Sequence, residues 1–134
     1  MGTKIPKKGL ESYDPNLHKY PEQIHHRVAL GMDCGSYIGE GWYDIISELD
    51  DAISKIYPMY IVDQVKEKFG GLRYYIASLP EDFPDQYLNA IYNLIHEAEC
   101  KSLKTCDVCG DHGETVLIDG FLLATRCDKH NKIR

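Results

Sequence analysis

No stretch of this chain approaches the ~20 consecutive apolar residues needed to span a bilayer, and the first residues lack the apolar core of a secretory signal. The expectation is a cytoplasmic protein. Cysteine is scarce, five in 134 residues, which fits a reducing compartment better than a disulfide framework. Positive charge is also in deficit: the net charge of −6 argues against non-specific binding to nucleic acid. The glycine-rich run 31–41 lacks both the Gly-Lys-Ser/Thr ending of a P-loop and the Gly-x-Gly-x-x-Gly spacing after a strand. Neither a Ser/His/Asp nor a Cys/His catalytic pairing is legible, and no acids sit at catalytic spacing. What remains is one domain with enough apolar residues for a modest core.

The strongest positive signal is C-terminal. Cys106-Asp-Val-Cys109 and Cys127-Asp-Lys-His130 are two ligand pairs, seventeen residues apart, at the spacing of a structural zinc site. Four ligands (Cys106, Cys109, Cys127 and His130) leave no open coordination position, so the ion is expected to be structural. Gly110 permits the sharp turn that lets backbone N–H groups face a thiolate. Cys34 and Cys100 stand outside the set; Cys100 is expected as a small core or boundary side chain. Between the pairs, 114–118 and 121–125 flank Asp119-Gly120, a type I′ hairpin signal, giving a zinc-ribbon or treble-clef layout. A two-residue turn sets Ile118 opposite Phe121 and Val116 opposite Leu123. Both faces are then apolar, and the ribbon is expected to pack into the rest of the chain.

Upstream, residues 1–20 carry Lys4, Lys7, Lys8 and Lys19 with Pro6 and Pro15, the pattern of an irregular basic arm. Pro21 is placed to open a short helix with Ile24, Val28 and Leu30 apolar, and with His25 and His26 on its surface. The glycine-rich run reads as either an anion-cradling loop or a tight turn with positive φ. Trp42, Ile45, Ile46, Leu49, Ala52, Ile53 and Ile56 then recur at three- and four-residue spacing, predicting a helix from Gly41 to about Tyr57 that Pro58 ends. Asp44, Glu48, Asp50 and Asp51 are assigned to its other face, solvated or imitating a phosphate backbone.

From Tyr60 the period becomes two. Residues 60–69 and 72–77 predict a hairpin turning on Gly70-Gly71, with Phe69 opposite Leu72. Val65, Glu67 and Phe69 share a core face with Leu72, Tyr74 and Ile76. Lys66, Lys68, Arg73 and Tyr75 share the other, with Lys68 across from Arg73. Like charges placed opposite each other destabilise a strand pair unless an anion covers them. The candidates are a nucleotide or nucleic-acid phosphate, carboxylates of a partner protein, or the chain's own acidic helix. Glu67 needs a partner such as a backbone N–H. A second helix is predicted from Pro84, as first helical residue, to about Leu103. Its stripe is Leu88, Ile91, Tyr92, Ile95, Ala98 and Glu99, with His96 at its boundary.

These pieces make an α+β protein: two amphipathic helices and a β-hairpin packed with a C-terminal zinc-ribbon-like hairpin, as an arm (1–20), a core (21–103) and an integrated ribbon (104–134). The segments Gly39-Glu-Gly-Trp-Tyr43, Gln64-Val-Lys-Glu-Lys-Phe-Gly-Gly-Leu-Arg-Tyr-Tyr75 and Thr105-Cys-Asp-Val-Cys-Gly110, followed by Cys127-Asp-Lys-His130, carry a further signal. On them the chain resembles a family of small, largely uncharacterised bacteriophage and prophage proteins, over roughly residues 29–130. Cys100 departs from that family's pattern, where the position is usually small and not thiol. The resemblance implies a phage-encoded cytosolic protein and no known activity. Three function classes stay open: a non-enzymatic protein that binds and blocks or redirects a host protein, for instance in a defence system; a binder of nucleotide or nucleic acid through Lys66, Lys68, Arg73 and Tyr75; and an enzyme.

Overall fold

The computed structural model describes residues 20–29, 38–118, 120 and 122–131. The basic arm up to Lys19 and positions 30–37 of the glycine-rich segment lie outside the described residues, as do Leu30 and Cys34. A 3-10 helix, Glu22–Arg27, comes first. A 3-10 turn, Glu40–Trp42, leads into helix α1 (Tyr43–Ile56). Strands β1 (Val62–Lys68) and β2 (Gly71–Ile76), helix α2 (Asp85–Ser102), and strands β3 (Glu114–Ile118) and β4 (Leu122–Arg126) follow. The fold is mixed α+β, with two separate two-stranded antiparallel sheets.

Helix α1 buries the stripe its spacing predicts: Ile45, Ile46, Leu49 and Ile53, after a fully buried Trp42. These meet Ile91, Ile95 and Ala98 of α2 and Val62, Val65, Leu72 and Tyr74 of the first sheet in one core. Each such side chain contributes about 1.5–3 kcal/mol on burial. Pro84 is the N-cap of α2, at ψ 135, and not its first helical residue. Tyr92 and Cys100, expected on or beside the apolar stripe, are exposed. The inward positions are 91, 95, 98 and 102, and residue 92 lies about 100° around the helix from 91.

Asp50, assigned above to the solvated face, is buried. It sits beside the apolar stripe, where Arg27 reaches it from the 3-10 helix: Arg27 Nε lies 2.5 Å from Asp50 Oδ1. The rest of the guanidinium donates to the carbonyls of Pro58 (2.7 Å) and Tyr60 (3.1 Å) and to Ser54 Oγ (2.7 Å), and its plane stacks on the Tyr60 ring. Tyr60 donates to Asp50 Oδ1 at 2.5 Å and lies 2.8 Å from the Tyr74 hydroxyl. Burial pushes both phenols well above the usual tyrosine range, with Asp50 adding to the effect. This polar hub binds three segments that are distant in sequence.

The first hairpin turns one residue earlier than predicted. The register pairs Lys68 with Gly71, Glu67 with Leu72 and Lys66 with Arg73. The two turn residues are therefore Phe69 (φ 56) and Gly70 (φ 86), both left-handed as a type I′ turn requires. A left-handed Phe costs roughly 1–2 kcal/mol. Against that cost, the Gly70 N–H donates to Glu67 Oε2 at 2.6 Å, supplying the partner Glu67 needs. A Cβ at Gly70 would also come 2.9 Å from Thr115 Cγ2, and one at Gly71 3.0 Å from Leu103 Cδ2, so both glycines serve close packing. Pairing Glu67 with Leu72 moves each partner by two positions, so every side chain keeps its predicted face. Phe69 alone changes surroundings, leaving the core to stand 66% exposed.

Along the outer edge of β2, α2 takes the place of a third strand. The Leu72 N–H donates to Ser102 Oγ (2.9 Å) and the Tyr74 N–H to Glu99 Oε2 (3.0 Å), while Ser102 donates to the Glu99 carbonyl (2.6 Å). On the β1 side, Ala29 N–H donates to Val62 O, beside a Val28–Val62 bridge.

Removing one member of a buried ion pair strands the other, at a cost of about 3–5 kcal/mol. Asp50→Ala is therefore expected to lose that much in urea unfolding. The double variant Arg27→Met/Asp50→Leu is expected to lose clearly less than the two single variants together; a double-variant loss equal to the sum of the single losses would show that Arg27 and Asp50 are not energetically coupled.

Candidate metal centre and basic strand face

Cys106 and Cys109, before β3, and Cys127 and His130, after β4, come together at the open end of the β3–β4 hairpin, their ligand atoms all within 4.8 Å of one another. The shortest separations are Cys127 Sγ to His130 Nδ1, 3.3 Å; Cys106 Sγ to His130 Nδ1, 3.6 Å; and Cys109 Sγ to Cys127 Sγ, 3.7 Å. The sulfur pair is far beyond the ~2.05 Å of a disulfide. Near-equal edges among three sulfurs and one ring nitrogen are compatible with a metal site.

The local chain holds this shape. Gly110, at φ 88, lets its N–H donate to Cys106 O (2.9 Å) while the Cys106 N–H donates to Asp111 O (2.7 Å). The second pair closes with the His130 N–H on Cys127 O at 3.0 Å. Burial alone would raise the Cys106 thiol, but the backbone N–H groups of Cys109, Cys127 and Val108 point at its sulfur and bring it down to about 6. At Cys109 the Asp111 N–H acts to lower the thiol, yet burial and the neighbouring Cys127 and Cys106 sulfurs leave it at about 11. One sulfur is thus prepared as a thiolate, while crowding by neighbouring sulfurs raises the proton affinity of Cys109, as expected of a ligand that loses its proton to a cation.

Three supports of the site were not read from the sequence. Asp107 and Arg126 form an ion pair at 2.6 Å (Nε to Oδ1), and Arg126 also donates to His130 O at 3.2 Å, tying one ligand pair to the other. Burial raises the Asp107 carboxyl against the pull of Arg126. Thr125, fully buried, donates to Gly70 O at 2.6 Å and sits 2.7 Å from Thr115 Oγ1, docking the second hairpin on the turn of the first. The third is the glycine-rich segment. Gly39 has φ −71, so positive φ is not its reason. A Cβ there would lie 1.9 Å from Asp107 O, and one at Gly41 2.1 Å from Cys106 O. The Gly41 N–H donates to Asp107 O (3.0 Å) and Trp42 Nε1 to Thr105 O (2.8 Å). The signal was present in Gly-x-Gly-Trp, but its partner lay more than sixty residues away.

The ribbon register also differs. Ile118 pairs with Leu122 and Val116 with Ala124, leaving three residues between the paired ends and not two. Both faces were expected to be buried; instead Leu117 (58%) and Leu122 (52%) are exposed, and Leu123 stands at the exposed limit. Ile118, Ala124 and Thr125 are buried, so the ribbon is covered along one side and not on both. Of the remaining predicted site residues, Lys66, Lys68, Arg73 and Tyr75 do share one face of β1–β2, with Lys66 and not Lys68 opposite Arg73. Among the described residues none of the three cations makes an ion pair with an acid. The lysines lean on rings instead, Lys66 over Tyr75 and Lys68 over Phe69.

Gly41→Ala is expected to lower the melting temperature sharply and weaken metal retention together, because the added methyl displaces the backbone of the first ligand pair. Retention measured by chelator competition at wild-type strength would show that this contact does not support the site. No protein-family model, curated protein or solved structure matches the chain.

Proposed function

We propose that this chain is a non-enzymatic, zinc-stapled interaction protein that binds an acidic surface of a partner protein through Lys66, Lys68, Arg73 and Tyr75. The observation that carries the reading is the uncompensated Lys66–Arg73 pair: cross-strand cations with no acid of the described chain over them. Such a pair favours an external anion. The acidic helix, the internal candidate, spends its charge elsewhere, Asp50 on Arg27 and Glu48 on Lys101 at 3.2 Å. For the phage-encoded protein that the resemblance implies, the partner is a host protein, blocked or redirected by being bound.

Zinc is assigned from donor chemistry and distances. Around tetrahedral zinc, with Zn–S about 2.3 Å and Zn–N about 2.0 Å, sulfur and nitrogen stand about 3.5 Å apart and two sulfurs about 3.8 Å apart. The observed 3.3, 3.6 and 3.7 Å edges fit. With three thiolates and one imidazole the shell is full, so the ion supplies rigidity and no open Lewis-acid position. A second reading is favoured by the exposed Tyr75 and Phe69 beside lysines: stacking of a nucleotide base, with phosphates on the cations.

Excess chelator is expected to abolish the cooperative melting transition, since closed zinc sites contribute their binding free energy to folding; a transition unchanged in chelator rules out the staple. Lys66→Glu/Arg73→Glu is expected to leave the melting temperature almost unchanged while abolishing capture of a stoichiometric host protein from bacterial lysate. A retained partner with the variant overturns the basic face as the site. Recovery of nucleotide or nucleic acid alone, lost in the variant, favours the second reading.

A further inference from the structure

Helix α2 presents a second pair of metal-ligating side chains that the C-terminal cluster does not use. His96 and Cys100 are four residues apart, hence on one face of the helix. Both are exposed, and Cys100 Sγ lies 3.5 Å from His96 Nε2. That separation equals the sulfur–nitrogen edge of a tetrahedral zinc site, about 3.5 Å, and falls between the two sulfur–nitrogen distances of the C-terminal cluster. Among the described residues no third His, Cys, Asp or Glu ligand atom joins them. The pair is half of a tetrahedron.

The surface around it is unusual for a solvated helix face. Tyr92, one turn before His96, is 46% exposed, and Leu103, one turn after Cys100, is 42% exposed. Tyr92, His96, Cys100 and Leu103 therefore form a continuous exposed stripe at spacings of four, four and three. Two such stripes laid antiparallel about a two-fold axis bring two His96–Cys100 pairs to one point and flank them with apolar side chains. A two-fold contact is self-complementary by construction, so one kind of half-site suffices.

We propose that His96 and Cys100 are a zinc half-site that joins two copies of this chain, one ion held as Cys2His2 between paired α2 helices. Each Cys100 thiol gives up its proton to solvent as its sulfur binds the ion, and each imidazole coordinates through Nε2. No electron transfer is involved. The assembly is distinct from the C-terminal cluster, whose four ligands lie within one chain.

The test uses the full chain, kept reduced and loaded with one zinc per chain, then titrated with further zinc while mass is followed by light scattering after size exclusion. The expected result is a doubling of mass from 15.3 kDa, complete at half an equivalent of added zinc per chain. Cys100→Ser and His96→Ala are each expected to abolish that step while retaining the first zinc and the melting temperature, because both side chains are exposed. Cobalt in place of the added zinc reports the donor set: two-sulfur, two-nitrogen absorption that disappears in either variant. A chain that stays monomeric through the titration overturns the proposal. Doubling that persists in Cys100→Ser, or that needs no added metal, overturns it equally.

Discussion

A close backbone contact couples the two halves of this protein: the Gly39-Glu-Gly41 segment lies against the carbonyls of Cys106 and Asp107 at a distance no Cβ tolerates. Everything on either side is arranged to keep that contact. Trp42 fills the core beneath it and hydrogen-bonds the residue before the first ligand. Gly110 turns the ligand loop back over Gly41. The candidate metal centre is therefore built onto the first turn before α1, and any displacement of its four side chains is felt by the helix that supplies the apolar core.

A second constraint is polar. Arg27, Asp50, Tyr60 and Tyr74 form a buried network that unites the segment before α1, the helix itself and the first hairpin. Burying charge is unfavourable unless it is paired with an opposite charge and hydrogen-bonded. Here Nε meets the carboxylate while the terminal nitrogens meet two carbonyls and a hydroxyl. The network fixes geometry where apolar contacts alone leave small slides permitted.

The fold was legible wherever a period or a spacing carried it. The α1 stripe, the faces of the first hairpin and the four clustered ligands are local patterns, readable within a window of a few residues or from metal-ligand spacing. What failed was decided at long range. Asp50 sits one residue beyond Leu49 and reads as part of an acidic face until Arg27 is seen opposite it. Gly70-Gly71 reads as the turn, yet Lys68 pairs with Gly71 and the turn falls on Phe69-Gly70, while Thr115 and Leu103 lie against the two glycines. Asp119-Gly120 likewise reads as a two-residue turn, yet the strands pair one step apart from that register. The glycines near Trp42 looked like conformational freedom and proved to be clearance for another segment's backbone.

Ser102 and Glu99 occupy the outward amides of β2 at Leu72 and Tyr74. An extended peptide that recognises a sheet by adding a strand needs those same amides free. Along β2 that mode is closed, and the sheet cannot grow in that direction by self-association either. Whatever lies along that edge meets side chains of α2 and not free strand amides, so backbone pairing contributes nothing to a contact made there.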